Sequence, residues 1–428
     1  MKRILTLLAA LALCLCLIIP AGAAAAASAA DATSAGLKFK DDGTFKIIHV
    51  ADTQEFILSS ALTQEFLYDL AKKEQPDLFV LTGDNTSTGG ASGLPKPVAT
   101  LLVKSGVDGL MRTFDRIYKE LGVPVTMVYG NHDNEAGPDN VSRAEQFAMY
   151  AAHPSFAGYY VEDADKGTGK NDEQGDHYGT HNLIVKNSAG TAPAFNIWMF
   201  DSGSYETREG GGYSAVMPAQ IAWFQAEHAR TGSLPSVAFQ HIIVPEIYDK
   251  LTPSVKDAPD TMSRTFVVDH ETGATVTKYV STILPAGTQG ELLESCGSGR
   301  YNYGQYDALC AAGVSAVFSG HDHRNTFVLR LDGETDIVNS PATGFGSYGE
   351  VETRAARVIT LKESDPDAYE TKIVSYQAFY GPNTLRRTRL AMFQQISAFG
   401  NLIDWMTFRP LFWLLDLFGM TPAYMPAA

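Results

Sequence analysis

Five short polar blocks, each directly after an apolar run, constrain the fold of this 428-residue chain more than any other feature. The apolar runs are rich in β-branched and aromatic residues, as buried strands are. The blocks are Asp52-Thr53-Gln54, Gly83-Asp84-Asn85, Gly130-Asn131-His132-Asp133, His241 and Gly320-His321-Asp322-His323. Because ligands bind at the carboxyl ends of strands in α/β sheets, the five blocks together predict one shared site.

Segments with helical spacing alternate with strand-like runs between residues 45 and 374. Leu62, Phe66 and Leu70 recur at intervals of four, and Pro76 ends the helix that this spacing predicts. After the last block the pattern becomes that of antiparallel hairpins, in which T-F-V-L-R-L and D-I-V-N flank an Asp-Gly turn. The sequence therefore predicts an α/β fold, a sandwich of two mixed β-sheets flanked by helices.

The N-terminus has the order of a secretory signal. Lys2 and Arg3 precede an apolar run and then an alanine-rich stretch that reaches Ala30. The alternative is an uncleaved membrane anchor, because residues 4–30 carry no charge and are long enough to span a bilayer. We predict a signal peptide or anchor in residues 1–30, a catalytic domain in residues 31–380, and a secreted or cell-envelope location.

Residues 381–428 form a tail of different character. Three arginines lead into apolar residues at helical spacing. Asp404, Arg409 and Asp416 interrupt the apolar run, which argues against a spanning helix. The pattern is typical of an amphipathic helical tail, which either contacts a membrane surface or packs its apolar face on the catalytic domain.

The net charge of −15, or −17 without Lys2 and Arg3, disfavours general binding of nucleic acid. Cys296 and Cys310 are the cysteines outside the first thirty residues. In an exported protein they predict either a disulfide bond or two unpaired thiols. The absence of a Cys-x-x-Cys pair disfavours zinc sites built from thiolates.

The donors in the blocks suit a pair of hard or borderline cations. Carboxylate, amide and imidazole groups bind Mn, Fe or Zn. Asp84 follows a strongly apolar strand, where a lone carboxylate would be costly to bury, so we expect it to bridge two cations. His321 and His323 lie two residues apart and would share one face in extended geometry. Five other histidines lack such spacing and are predicted to lie at the surface: His153, His177, His181, His228 and His270.

The five blocks resemble the calcineurin-like metallophosphoesterase superfamily, in its purple-acid-phosphatase-like branch. The resemblance covers residues 45–376 and implies two metal ions and a phosphoester substrate. It implies that one metal is held by Asp52, Gln54, Asp84 and His323, and the other by Asp84, Asn131, His241 and His321. It also implies that His132 stabilises the phosphoryl group or protonates the leaving oxygen. Asp133 would hydrogen-bond the His132 imidazole, and Asn85 would either contact the substrate phosphate or cap a turn.

Two positions depart from the family pattern. Gln54 stands where most members have a histidine, and an amide oxygen is a weaker donor to borderline metals. Ser87 occupies the place of the tyrosine that gives the purple enzymes their Fe–tyrosinate centre, so no tyrosinate is specified.

The sequence thus predicts an exported phosphohydrolase with two divalent metal ions that cleaves phosphomonoesters or diesters. Two alternatives remain open at this stage. One is a phosphodiesterase that acts on nucleotides or lipid headgroups. The other is a catalytically weak phosphate-binding or scaffold protein, which Gln54 favours.

Overall fold

The computed structural model describes residues 36–420 except 58, 138, 160–177, 207, 209, 350, 382–383, 393–397 and 419. The predicted signal or anchor segment, His177 and the last eight residues of the tail lie outside this part. The described strands are β1 (Thr44–Val50), β2 (Leu78–Thr82), β3 (Val125–Val128), β4 (His181–Lys186), β5 (Pro193–Phe200), β6 (Ser236–Gln240), β7 (Thr261–Val267), β8 (Thr275–Ser281), β9 (Val314–Ser319), β10 (Val328–Leu329), β11 (Asp336–Asn339), β12 (Ala355–Lys362) and β13 (Asp365–Ser375).

Helices connect and cover these strands. They are α1 (Ala61–Glu74), α2 (Lys96–Leu121), α3 (Arg143–Ala151), α4 (Pro218–Arg230), α5 (Ile247–Lys250), α6 (Gln305–Ala311), α7 (Tyr376–Tyr380), α8 (Thr384–Met392) and α9 (Ala398–Leu417). Two short 3₁₀ helices span Thr88–Ala91 and His132–Asn134. Helix α1 begins after Ser60, whose hydroxyl accepts a hydrogen bond from the Thr63 amide, and ends at Gln75, directly before Pro76.

Two mixed sheets carry the strands that precede the polar blocks. The first has the order β13-β12-β1-β2-β3, and in it β1, β2 and β3 run parallel. The second has the order β10-β11-β9-β6-β5-β4, and in it β5, β6, β9 and β11 run parallel. Strands β7 and β8 form a separate hairpin. The predicted hairpin around the Asp-Gly turn is confirmed, since β10 pairs antiparallel with β11.

The two sheets pack face to face with apolar residues between them. Ile47 of β1, Phe239 of β6 and Phe318 of β9 belong to this central core and are fully buried. Apolar residues of α1, α2 and α3 cover the other face of the first sheet, and those of α4 and α6 cover the other face of the second. The predicted sandwich of two mixed sheets flanked by helices is confirmed.

The tail helices attach to the catalytic domain through a buried ion pair. Arg389 of α8 contacts Asp404 of α9 at 2.7 Å and Glu65 of α1 at 2.6 Å. Trp405 donates a hydrogen bond from Nε1 to the Ser59 carbonyl oxygen, 3.2 Å away. The tail thus lies on α1, and much of this attachment is polar. Within the described residues no helix is long and apolar enough to cross a membrane.

The predicted disulfide is wrong for this structure, in which Cys296 and Cys310 are free thiols. Cys296 is buried, and its Sγ lies 4.0 Å from Nδ2 of Asn325. The Sγ of Cys310 accepts a hydrogen bond from the Thr335 amide at 3.4 Å. The spacing of fourteen residues in the sequence does not indicate that the two thiols lie among different neighbours.

The surface prediction for the remaining histidines holds for His270, which is exposed, and is wrong for His181. His181 is fully buried, with Nε2 2.8 Å from the Thr126 hydroxyl and Nδ1 2.7 Å from the Gly179 carbonyl oxygen. His181 is the first residue of β4 in the second sheet, and its ring contacts Thr126 of β3 in the first sheet. His153 and His228 are half-buried.

His153 gives the fold a pH dependence. Its Nδ1 lies 2.7 Å from Asp115 and its Nε2 3.4 Å from Asp108. Burial alone would lower the pKa of His153, but these two carboxylates raise it from 6.5 to about 9. Because the folded pKa exceeds the unfolded value, the contribution to stability is fully present below about pH 6.5 and disappears as the pH rises through 9.

We therefore expect the free energy of unfolding in urea to fall between pH 6.5 and pH 9.5, and to fall less in His153→Gln. His270→Gln provides the control, since His270 is exposed. A wild-type protein whose decrease equals that of His153→Gln would contradict this assignment.

Candidate metal centre

The five polar blocks meet at one edge, where parallel strands of both sheets end. Blocks one to three follow β1, β2 and β3 of the first sheet, and blocks four and five follow β6 and β9 of the second. Two groups of donor atoms result, in each of which the donors lie within 4.8 Å of one another. One group is Asp84, His241 and His321, and the other is Asp52, Asp84 and His323. Asp84 belongs to both, as expected of a carboxylate between two cations.

Imidazole and amide donors complete the first group. Nε2 of His241 lies 3.1 Å from Nδ1 of His321 and 3.1 Å from Oδ1 of Asn131. His241 also approaches Asp84, with Nε2 3.4 Å from Oδ1. All three contacts join atoms that act as metal ligands in proteins, and all four residues are buried. The structure thus brings together the four residues predicted for one metal.

The second group contains the other predicted ligands. Nε2 of His323 lies 3.3 Å from Oδ1 of Asp52, and this oxygen is buried without a hydrogen bond among the described residues. The side-chain amide of Gln54 approaches Asp84, with Nε2 3.3 Å from Oδ2. Rotating that amide by half a turn would present its oxygen at the same place. Gln54 is therefore placed to serve as a neutral ligand beside three stronger ones.

Backbone carbonyl oxygens orient the rings of His241 and His323. The Nδ1 of His241 lies 2.8 Å from the Thr82 carbonyl oxygen and that of His323 lies 3.0 Å from the Tyr348 carbonyl oxygen. When Nδ1 of each ring carries the proton, the lone pair of Nε2 is free to bind a metal at the centre. Tyr348 also stacks on the His323 ring, at 4.0 Å between centroids.

Four predicted ligands have a left-handed backbone. The φ angles are +54° at Asp52, +46° at Gln54, +48° at Asp84 and +70° at His321. Non-glycine residues in this region are costly by roughly 1–3 kcal/mol each and cluster at functional sites. Such concentrated strain indicates that the loops are shaped for the ligands rather than for stability.

The glycines of the blocks allow the loops to approach one another. A Cβ atom on Gly130 would lie 2.2 Å from Oδ1 of Asp84 and 2.8 Å from Nε2 of His241. One on Gly320 would lie 2.8 Å from Oδ2 of Asp52. Any side chain at these positions would occupy the space between the donors. This explains why a glycine precedes the ligand in these blocks.

The charges of the centre fit a cation. Burial alone would raise the pKa of Asp84, but the charge of His241 and its hydrogen bond outweigh that effect and hold the pKa well below its ordinary value. In return, Asp84 raises the pKa of the buried His241 from 6.5 to about 10. Burial and the charge of His241 lower the pKa of His321. Without metal, a proton on His241 thus balances the Asp84 carboxylate, and a bound cation would replace it.

The expected contact between Asp133 and the His132 imidazole is wrong. Asp133 is fully buried, and its carboxylate accepts hydrogen bonds from the backbone amides of Gly130, Asn85 and Thr86. Burial, followed by the negative charge of Asp84, raises the pKa of Asp133 to about 6. Its role is to join the loop after β2 to the loop after β3.

Of the two alternatives for Asn85, substrate contact or a turn cap, the structure favours a structural role. Its side-chain amide donates a hydrogen bond to the Val128 carbonyl oxygen at 2.9 Å, and the residue is buried. Asn85 therefore ties β3 to the loop after β2 and does not line the pocket described below.

Two residues near His132 were not predicted. Nδ1 of His132 lies 2.8 Å from Oε1 of Glu135, and the Tyr205 hydroxyl donates to the same oxygen at 3.0 Å. The Tyr205 hydroxyl also accepts a hydrogen bond from Nδ2 of Asn131 at 2.9 Å, which turns the Asn131 oxygen towards His241. Glu135 follows His132 by three residues, a spacing that aligns side chains on a 3₁₀ turn. Tyr205 comes from the distant loop after β5, where the polar run D-S-G-S-Y follows an apolar strand as the five blocks do.

A pocket of about 240 Å³ opens onto the centre. Its lining includes Asp84, His132, His321 and His323, together with Tyr213, Arg264 and Tyr348. Arg264 comes from the β7–β8 hairpin and donates to the Ser298 carbonyl oxygen, while its buried Nε has no hydrogen bond among the described residues. Glu294, Ser295 and Gly297 line another wall, so a loop before α6 forms part of the rim.

Comparisons with known proteins agree with this geometry. The family model described as calcineurin-like phosphoesterase matches residues 45–325. A protein of Arabidopsis thaliana named probable inactive purple acid phosphatase 28 is 27% identical over 359 residues, which cover 76% of this chain and 77% of the relative. Phosphatase DCR2 of Saccharomyces cerevisiae is 24% identical over 331 residues, which cover 71% of this chain and 48% of that protein.

Among solved structures, a dimetal phosphatase from Danio rerio is 12% identical, and the match covers 78% of this chain and 99% of that chain with a TM-score of 0.42. The segment that the family model matches contains all five polar blocks and both donor groups. The chain therefore belongs to the calcineurin-like phosphoesterase family, and its relatives are of the purple-acid-phosphatase type.

Proposed function

We propose that this protein is an exported phosphohydrolase that depends on two divalent metal ions and cleaves phosphomonoesters. The observation that carries the proposal is the pair of donor groups that share Asp84 and open into one pocket. Export is part of the proposal because the apolar segment after Lys2 and Arg3 has the order of a secretory signal.

Asp52, Gln54 and His323 would hold one cation, Asn131, His241 and His321 the other, and Asp84 both. When bound, two such cations acidify a water molecule and offset the charge that develops on a phosphoryl group. The neutral and anionic donors are those that Mn, Fe or Zn bind.

Residues around the centre would bind the phosphate and assist the leaving group. Arg264 lines the pocket, and its positive charge would pair with a phosphoryl oxygen there. His132 also lines the pocket, and Glu135 beside its Nδ1 leaves Nε2 directed towards the side of Asp84. Nε2 is 3.8 Å from Oδ2 of Asp84 and can deliver a proton to a leaving oxygen there.

Hydrolysis of p-nitrophenyl phosphate and of its bis ester tests the proposal, with Mn, Zn or Fe added to the metal-free protein. We expect turnover of the monoester that rises with metal content up to two ions per chain. Faster turnover of the bis ester would favour a phosphodiesterase. Binding of inorganic phosphate without turnover under any metal would contradict the proposal and favour a phosphate-binding protein.

That second candidate, a catalytically weak binding protein, rests on Gln54. Its amide is neutral, and one relative is named probable inactive purple acid phosphatase 28. Imidazole is a better ligand than an amide for borderline metals. If the cation beside Gln54 is bound weakly, its site would be largely empty at low metal concentration. The centre would then have less positive charge to stabilise a phosphoryl group.

Gln54→His is accordingly expected to strengthen zinc binding at one of the two sites by at least about tenfold, or about 1.4 kcal/mol. Histidine tolerates the left-handed backbone that Gln54 adopts. Titration of the metal-free protein with zinc, followed by calorimetry, measures the change. Gln225→His on the exposed face of α4 is the control. Unchanged zinc affinity in Gln54→His would show that residue 54 does not contact a metal.

A further inference from the structure

The C-terminal helix α9 and the residues directly after it leave a large apolar surface uncovered. Its members are Met406, Trp413, Leu414, Leu417, Phe418 and Met420, which we call the outer apolar surface. Met406 is 71% exposed, Trp413 64%, and Phe418 71%. Positions 406, 413, 414 and 417 recur at intervals of seven, eight and eleven, so they share one side of the helix. Exposed apolar surface of this kind marks an interaction site.

The outer apolar surface is distinct from the side that attaches α9 to the domain. That side holds Asp404 in its ion pair with Arg389, and Phe412 is buried there. The Cζ atom of Arg409 lies 3.5 Å from the centroid of the Trp405 ring, one helical turn before it. The helix is therefore held in place while its apolar members face away from the protein.

Charge points to the chemistry of the partner. Residues 381–428 contain four arginines and two aspartates, a net charge of +2 in a chain whose net charge is −15. Arg389 and Asp404 neutralise each other inside the protein, and the rest of this segment still carries three arginines against one aspartate. An anionic bilayer attracts this combination, since basic residues bind the headgroups while tryptophan and aliphatic side chains enter the boundary with the acyl chains. Two of the four tryptophans of the chain lie in this tail.

The composition of α9 favours lying along a bilayer over crossing it. Asp404, Arg409 and Pro410 interrupt the apolar residues inside the helix. The tail contacts Ser59 before α1 and Glu65 in its second turn. We propose that the outer apolar surface inserts into the interfacial region of an anionic lipid bilayer.

Sedimentation of the full-length protein with lipid vesicles tests this proposal. Vesicles of phosphatidylcholine alone are compared with vesicles that also contain phosphatidylglycerol. We expect the wild type to sediment with the mixed vesicles, and Trp413→Glu/Leu417→Glu to bind them at least about tenfold more weakly. The control Val268→Glu/Ile283→Glu replaces two equally exposed apolar residues outside the tail and should bind as the wild type does.

Additional measurements distinguish the other occupants. Equal binding by the wild type and Trp413→Glu/Leu417→Glu would overturn the proposal and assign membrane binding to another segment, such as residues 4–30. A wild-type dimer that becomes a monomer in this variant, without vesicle binding, would assign the surface to a second copy. If the wild type binds both kinds of vesicle and the variant loses the two equally, the anionic preference is overturned. Unchanged hydrolysis of p-nitrophenyl phosphate by the variant shows that it is folded.

Discussion

Asp84→Asn is expected to reduce the bound metal from two ions per chain to less than one, and turnover of p-nitrophenyl phosphate by at least a thousandfold. Asp84 is the residue that both donor groups share. Asparagine keeps the shape of the side chain and tolerates the left-handed backbone, so the loop is retained while the charge is lost. A bound cation contributes several kcal/mol to stabilising a phosphoryl transition state, and about 1.4 kcal/mol corresponds to tenfold in rate.

The pKa of His241 in the metal-free protein gives a second readout of this variant. In the wild type the Asp84 carboxylate holds a proton on His241, whose pKa is about 10. Without that carboxylate, burial favours neutral His241, and its pKa should fall. In an NMR titration, the His241 resonances should change at a lower pH in Asp84→Asn than in the wild type. That difference would show that the two groups interact as the structure indicates.

Asp133→Asn is the matched control, because Asp133 is equally buried and lies near Asp84 but outside both donor groups. We expect it to lower the melting temperature, since its carboxylate accepts several backbone hydrogen bonds, and to bind two metals per folded chain. Two tightly bound metals and normal turnover in Asp84→Asn would show that this carboxylate does not bridge the cations.

The location of the ligands could be predicted from the sequence because each follows a buried strand. His241 and Asn131 are 110 residues apart in the chain, yet both end parallel strands, and their side chains meet at 3.1 Å. The rule about strand ends supplied that contact without knowledge of the packing. The burial of its strand also singled out Asp84, which is the residue that both donor groups share.

The contacts of side chains in the loops that follow the strands were harder to predict. Asp133 follows His132 directly, but the 3₁₀ turn directs it to the interior and brings Glu135 beside the imidazole. Tyr205 reaches Asn131 from a loop more than seventy residues away, and sequence spacing carries no information on such a contact. The pairing of Cys296 with Cys310 failed for the same reason. Residues that end strands were predictable, and those placed by irregular loops were not.

Leaving-group dependence separates a catalytic role of His132 from a structural one. If His132 protonates the leaving oxygen, His132→Ala should lower kcat about 10²- to 10⁴-fold for phenyl phosphate, whose leaving group needs a proton. For p-nitrophenyl phosphate, whose leaving group is stable as an anion, the loss should be much smaller. His270→Ala, an exposed histidine outside the site, should lower neither rate.

Glu135→Gln should show the same preference with a smaller effect, because Glu135 touches the imidazole at Nδ1 and acts through it. Metal content should stay at two ions per chain in both variants, since neither residue belongs to a donor group. Equal losses for the two substrates in His132→Ala would instead assign His132 to phosphate binding, where its charge would act on the transferring group and not on the leaving oxygen.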